Sequence, residues 1–479
     1  MSVEFKWILG CVAFAAGEAV AATGGFFAPF WPLAVAAAAL VVLFGYGYAV
    51  RGWPFVFAAL AGLALGLFAA ARRDAVLDAA VRLASSRPYP ATVVVTGEAE
   101  VQRGRDGGER MSFPGRTGPV RVRVIWSAPR GAPRPRSGET WLCTGWMARE
   151  APRHANAGRM LWVCGKGTSA RRLAGRGRFA ALLSRVRRDL SRRVGLGLAH
   201  DVESAALNRA ILLGVRSRLD PRLRDDFVAA GTVHVFAISG LHVMIVARVM
   251  LVLLVLAGFS LRGASVGVVP ALWFYTLVIG SPPSAVRAAA MASLNSLAPV
   301  CWRRPNGLLA WAFTFLAVYA LDPGKLTDVG CGLSFVVMLA LVLWSRRAAA
   351  EGLDGWRGAL GVTAVAWAAG VPIAAHVFGR VTPAGLVTNL VAVPVASCGV
   401  VAGVLGVLTS FVSPTAAAHV NNAAALFTRA LRGLSHAVAT VPGASIEVEP
   451  WTFAACSAWY AATAFLLLFP WPLRSREVF

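Results

Sequence analysis

The sequence predicts a polytopic α-helical membrane protein of about 11–12 spans, with a small β-barrel (OB-like) extracytoplasmic domain inserted into it. Three observations predict this. Of the 479 residues, 57% are hydrophobic and only 15% charged, where a soluble chain carries about a quarter charged. Apolar runs recur at the roughly 20-residue length that crosses a hydrocarbon core. Between residues 72 and 168 that pattern gives way to β-branched, Arg-rich sequence broken by Gly and Pro.

The N-terminal part, residues 1–71, holds three expected spans, Ile8–Thr23, Phe30–Tyr46 and Phe55–Ala71. Lys6 precedes the first, but the small-residue run continues to Ala22 without a cleavage site, so this segment reads as an anchor and not as a removed signal. Arg72, Arg73 and Asp74 mark the change of composition. Within residues 72–168, Thr92–Thr96 is β-branched, and Val120-Arg121-Val122-Arg123-Val124 alternates an apolar with a basic face. Glu139–Trp146 and Met160–Cys164 are further strand candidates, separated by Gly- and Pro-rich turns. Short strands over such a length suit an OB-like barrel, with a small sandwich as the alternative. Cys143 and Cys164 are the only cysteines of this segment. Facing an oxidising space they form a disulfide; otherwise they are two reduced thiols.

Residues 169–230 read as basic amphipathic helices and linker. In 176–196, Phe179, Leu182, Leu183, Val186 and Leu190 follow helical spacing, with Arg178, Arg185, Arg188, Arg192 and Arg193 elsewhere on the helix. Such a helix lies in a membrane interface or contacts nucleic acid, and the two are compatible. From 231 to 479 apolar runs fall at about 234–257, 265–281, 284–300, 306–321, 329–344, 358–378, 384–410 and 452–470. Residues 415–441 are ambiguous, apolar but carrying His419, Asn421, Asn422, Arg429, Arg432 and His436.

The formal charge is +24. Residues 101–200 hold about 22 Arg and Lys against about 5 Asp and Glu, so most of the excess sits outside the apolar runs. With both termini cytoplasmic, Arg51, Arg262, Arg303, Arg304, Arg346, Arg347, Arg357, Arg474 and Arg476 lie inside, and of the short external loops only Lys325 and Arg380 are basic. The Arg-rich domain is then external, which is compatible because long domains translocate largely regardless of charge. Its arginines, Arg121, Arg123, Arg171 and Arg172 with Arg185 and Arg188 beyond, suit a polyanion such as single-stranded DNA; lipid contact or a solvated face is the alternative. Trp126, Trp141, Trp146 and Trp162 offer faces for base stacking, or pack in the core.

Ala230–Ala247, AGTVHVFAISGLHVMIVA, interrupts an apolar run with Gly231, His234, Ser239, Gly240 and His242. Polar groups at membrane depth face a partner or a cavity, which makes these, with Arg287, Asp328 and Asn389, candidates for a lined path or for intramembrane hydrogen bonds. Arg287 is the one expected nearest to DNA. No G-x-S-x-G elbow surrounds Ser239, no H-E-x-x-H helix exists and no P-loop occurs, so the sequence predicts neither catalysis, metal nor cofactor, and any driving ATPase is a separate protein.

Leu212–Ala247, with Ser281–Met291 (SPPSAVRAAAM), Arg303–Leu341 (including LDPGKLTDVGCGLSF) and Gly379–Val395 (including TNLVAVPV), resembles the ComEC family of competence proteins over nearly the whole chain. The resemblance implies an inner-membrane channel passing single-stranded DNA into the cytoplasm in natural transformation. Residues 231–479 then form a competence-type channel domain, and the family motif falls on Gly214, Arg216, His234, Ser239, Gly240, His242, Asp328, Asn389 and Pro394. It also implies partners: an external DNA receptor, a helicase-like cytoplasmic ATPase and membrane lipid. Departures are Val215 for the family's Asp, Met244 for Gly, and Cys331-Gly332 for Phe-Gln. The metallo-β-lactamase-like domain that many members carry is not expected here, which leaves strand degradation to a separate nuclease. A membrane transporter or envelope assembly component on the same fold is the alternative reading.

Overall fold

The computed structural model describes residues 89–96, 99–103, 109–117, 120–129, 131–149, 160–164, 170–174, 178–215, 219–236, 238–302, 304–321 and 328–468. The three expected N-terminal spans lie outside them. The chain divides into two compact units, one covering 71–190 and the other containing 191–479.

Alternation builds the first unit. Ala91, Val93 and Val95 turn inward while Thr92 and Val94 face out, and Val122, Val124, Trp126 and Ala128 repeat the pattern. The strands are β1 (Tyr89–Val95), β2 (Glu100–Arg103), β3 (Glu109–Thr117), β4 (Val120–Ala128), β5 (Thr140–Arg149), β6 (Met160–Cys164) and β7 (Ala170–Ala174). They form one seven-stranded sheet, antiparallel except where β4 runs beside β6. β1 pairs with β5 from Tyr89↔Gly145 to Val94↔Thr140, and with β3 at Val94↔Arg116 and Val95↔Gly115. β3 pairs with β2 and β4, and β5 with β6 and β7. Met111, Phe113, Trp126, Trp141, Cys143 and Cys164 fill the core.

Trp126 and Trp141 are buried with ring centroids 5.7 Å apart. These two are therefore core residues and present no face to a ligand, while Trp146 is partly exposed. Cys143 and Cys164 are both buried, with free thiols in hydrogen-bond contact. The bond to Cys164, and then burial, push the Cys143 thiol up. No disulfide joins them in this structure, which departs from the expected bridge. Among the described residues, Glu139 is the buried carboxylate of this unit. It accepts from Trp141 Nε1 at 3.0 Å and from the Arg136 amide at 3.1 Å, and pairs with Arg172 at 3.6 Å.

The helices are α1 (Arg178–Val194), α2 (Val202–Leu213), α3 (Pro221–Ala229), α4 (Gly240–Leu256), α5 (Leu261–Val278), α6 (Pro283–Leu297), α7 (Gly307–Leu321), α8 (Val329–Glu351), α9 (Gly355–Phe378), α10 (Ala384–Thr409), α11 (Pro414–Ala439) and α12 (Phe453–Leu468). Among the described residues, α5, α8, α9 and α10 are long and apolar enough to cross a membrane; α4, α7 and α12 are shorter apolar helices. Only 28–33% of the apolar windows of the four is buried inside the protein. Water would not tolerate so much exposed Val, Leu and Phe, so lipid covers it and the chain is a multi-pass membrane protein.

Close backbone approach packs α10. A Cβ at Gly403 would stand 2.4 Å from Leu212 Cδ1, and one at Gly406 2.2 Å from Asn421 Oδ1. Small residues of this kind let apolar helices meet without a water-driven force. The ambiguous 415–441 segment is α11, and several of its polar side chains find partners on the preceding helices and loops while staying partly exposed. Asn421 donates to the carbonyls of Arg193 and Leu196, Arg429 Nε meets Asp201 Oδ2 at 2.6 Å, Arg432 pairs with Glu203, and His436 Nδ1 meets Asp226 Oδ2 at 2.9 Å. Asp201 also caps α2 by accepting from the Ser204 amide. Burial works against its charge, but the Ser204 hydrogen bonds and the Arg429 guanidinium hold its carboxyl down at about 2.

Candidate functional site

The apolar run read at about 234–257 does not form one helix. α3 ends at Ala229, Gly231 takes φ +72°, and a 3₁₀ turn covers Val233–Val235 before α4 starts at Gly240. Two contacts hold the break. A Cβ at Gly231 would lie 2.8 Å from Gly385 Cα, so α10 begins against bare backbone, and the buried Thr232 hydroxyl meets Ser435 Oγ at 3.1 Å. Ser239 is the N-cap of α4, and its amide donates to His242 Nδ1 at 3.0 Å. An Nδ1 that accepts leaves the proton on Nε2. The Ser239 hydroxyl stands 3.5 Å from that same Nδ1, which the amide already occupies. Ser239 and His242 thus satisfy a helix end in the manner of a capping box.

Arg287 is the centre of what the break assembles. It lies in the second turn of α6, is 5% exposed, and donates from Nε to Ser334 Oγ of α8 at 2.8 Å. Its Nη1 lies 3.7 Å from Met291 Sδ, and its guanidinium carbon 5.8 Å from the Phe335 ring centroid. A Cβ at Gly240 would stand 3.3 Å from Nη2, so a glycine at the start of α4 leaves room for the cation. One turn earlier on α6, Ser284 Oγ donates to the Ile238 carbonyl at 2.6 Å, tying α6 to the residue before the cap. The starts of α4 and α6 and the second turn of α8 therefore meet at one guanidinium, four bonds from the backbone and inside an apolar bundle.

Asp328 belongs to the same end of α8, as its N-cap, accepting from the Cys331 amide at 2.8 Å. That occupies the carboxylate with helix-end amides. Asn389 lies one turn into α10 beside Gly385; its Oδ1 is buried and has no hydrogen-bond partner among the described residues. Pro394 sits within α10 and removes one donor from its ladder. Gly214 ends α2 in the left-handed region at φ 65°, its amide donating to Ala210. His234 lies on the 3₁₀ turn. Arg216 lies outside the described residues. Among the described residues no group of His, Cys, Asp or Glu could hold a metal ion.

The structure thus gathers Ser239, Gly240, His242 and Arg287 with the start of α8. Ser284 and Ser334 were not singled out in the sequence, although both lie inside the quoted stretches SPPSAVR and GLSF. In the β unit, Arg171 and Arg172 are exposed, Arg172 sharing Glu139, and Arg123 is half-buried with a bond to Ser112 Oγ at 3.3 Å. The Arg121 side chain lies outside the described residues. On α1, Arg185 and Arg188 are exposed.

Residues 211–473, which contain this whole constellation, match the family described as Competence protein. The chain belongs to the competence protein family. Curated relatives are more distant. "ComE operon protein 3" of Bacillus subtilis (strain 168) is 27% identical over 143 residues, which is 30% of this chain and 18% of that protein. An "Uncharacterized protein" of Aquifex aeolicus (strain VF5) is 29% identical over 238 residues, 49% of this chain and 55% of that one. The chain thus spans about half or less of the length of the relatives it matches. No solved structure matches it. The cap at Ser239, the cation at Arg287 and the α8 start all fall within the matched residues.

Proposed function

We propose that this competence-family protein is an inner-membrane channel that moves single-stranded DNA into the cytoplasm during natural transformation. The observation that carries the reading is Arg287. It is a cation buried among apolar helices, fixed by Ser334 and approached by the glycine start of α4. An intramembrane cation is costly and is retained where an anion or water must pass. Phosphate is the anion that competence requires, and a guanidinium binds it bidentately.

The β unit suits the outer part of such a path. Its pairings run β1, β3, β4, β6, β5 and back to β1, with β4 and β6 parallel, which supports reading it as an OB-like barrel. Exposed Arg171, Arg172, Arg185 and Arg188 would collect a polyanion by attraction that weakens with salt. In this reading both termini and the Arg-rich helix ends are cytoplasmic, and the β unit is external. An external receptor and a cytoplasmic helicase-like ATPase complete the pathway.

The test is deletion of the gene in a transformable host, with chromosomal transformation and surface DNA binding followed together. Transformation is expected to vanish while surface binding persists, and wild-type protein but not Arg287→Ala restores it. Undiminished transformation without the gene sinks the channel reading and leaves an envelope transporter or assembly role.

A further inference from the structure

The bundle end at which α5 and α7 begin and α6 and α8 finish carries a second cluster of arginines, away from the Arg287 site. Trp302, in the α6–α7 connection, is 81% exposed and holds φ 56°, a left-handed backbone that a bulky residue rarely adopts. Arg262, in the first turn of α5, lies over its ring at 3.9 Å from the centroid. Four residues beyond Trp302, Asn306 accepts from Arg346 Nη2 of α8 at 2.8 Å. Arg304, between Trp302 and Asn306 in the chain, is exposed.

The surroundings say which anion suits them. Beside Arg262, Leu256, Phe259 and Leu261 are 77%, 55% and 66% exposed. They cap the ends of apolar helices, where a water-filled path would leave them unsolvated and acyl chains would cover them. An exposed tryptophan at the end of a span is an interfacial anchor. Basic groups gathered between helix ends at that depth meet phospholipid phosphate. We propose that Arg262, Trp302, Arg304 and Arg346 form a headgroup site for an anionic phospholipid, with its acyl chains lying along Leu256, Phe259 and Leu261. A nucleic-acid phosphate has the same charge, but its bases gain nothing from that apolar rim, and Arg262 already covers one face of Trp302. The strained backbone at Trp302 keeps the ring outward, where the headgroup layer begins.

The site is independent of the DNA-channel reading. Full-length protein in detergent is incubated with dioleoyl phosphatidylglycerol or dioleoyl phosphatidylcholine, and retained lipid is counted by native mass spectrometry. Phosphatidylglycerol is expected to be retained preferentially, and Arg262→Ala with Arg346→Ala to weaken its retention roughly tenfold or more. Should that pair not purify, Arg262→Gln with Arg304→Gln, both on exposed side chains, carries the same expectation. Equal retention of the two lipids, or undiminished phosphatidylglycerol on the variants, overturns the proposal. So does displacement of the lipid by inorganic phosphate, which would mark a free-anion site, or by an oligodeoxythymidine, which would mark a DNA contact.

Discussion

The arginines of the β unit and the arginine at the heart of the helical unit are one residue type used in two ways. Arg171 and Arg172 stand in water, the second sharing the buried Glu139, so each acts as one charge among many. Arg287 is enclosed, its Nε bound to Ser334 and its outer edge set against Gly240. Exposed cations act through number and are weakened by salt. An enclosed one acts through geometry, because the low dielectric around it makes each hydrogen bond strong and each misplacement costly. The difference teaches that excess charge and enclosed charge are separate features: most of the +24 lies outside the apolar runs.

The largest expected effect breaks the enclosed member. Arg287→Ala should lower transformation by roughly 10- to 100-fold, the value of a hydrogen bond to a charged group. Arg287→Lys should not restore it, since a lysine lacks the planar fork. Full activity of the lysine variant would reduce Arg287 to a point charge and erase the contrast. Next is the break that brings α4 to the guanidinium. Gly231→Ala sets a methyl 2.8 Å from Gly385 Cα in a left-handed backbone, and is expected to cost about 1–3 kcal/mol, seen as a lower thermal midpoint in detergent. An unchanged midpoint would mean that α10 yields there.

The exposed members call for a gentler probe. In full-length protein, Arg171→Ala with Arg172→Ala should make the dependence of single-strand affinity on salt shallower, by about 1.4 in the log–log slope if both meet phosphates. A uniform loss with an unaltered slope would assign them a structural part instead, through Glu139. The smallest effect sits between the two extremes, at the half-shielded pair of Asp201 and Arg429. Asp201 is held at about 2 from its ordinary 3.8, so its stabilisation is complete above about pH 4 and disappears as pH falls through 2. Asp201→Asn should remove that slope at a cost of under about 1 kcal/mol near neutrality. A slope that persists in the variant would place it on another carboxylate.

Several elements were legible in the sequence because their cause is local. The apolar runs from residue 265 to 470 reappear as helices with nearby limits, since the length of an apolar run is set by the membrane and not by its neighbours. The 120–124 strand shows its two faces in its alternation. Less was legible where the cause is distant. Residues 234–239 read as the start of a span, yet the chain just before them is held by distant partners, Gly231 against Gly385 and Thr232 by Ser435, 203 residues away. Ser284 and Ser334 carried no signal, because a serine in an apolar helix looks the same whether it bonds its own turn or a guanidinium on another helix. The tryptophans offered for stacking could not be sorted in sequence, and Trp126 and Trp141 proved to be core.

By itself, then, the sequence determined the membrane class, the β-rich segment, the excess of arginine and the competence family. Hydropathy, alternation and charge are properties of residues and of their immediate neighbours, and they survive without a fold. Only the tertiary structure decided that Ser239 and His242 close a helix end, that the polar face of α11 answers Asp201, Glu203 and Asp226, and that Arg287 is met by α4 and α8. These are pairings between groups far apart in the chain, and a hydrogen bond or a close backbone contact exists only once packing has brought both partners to one place.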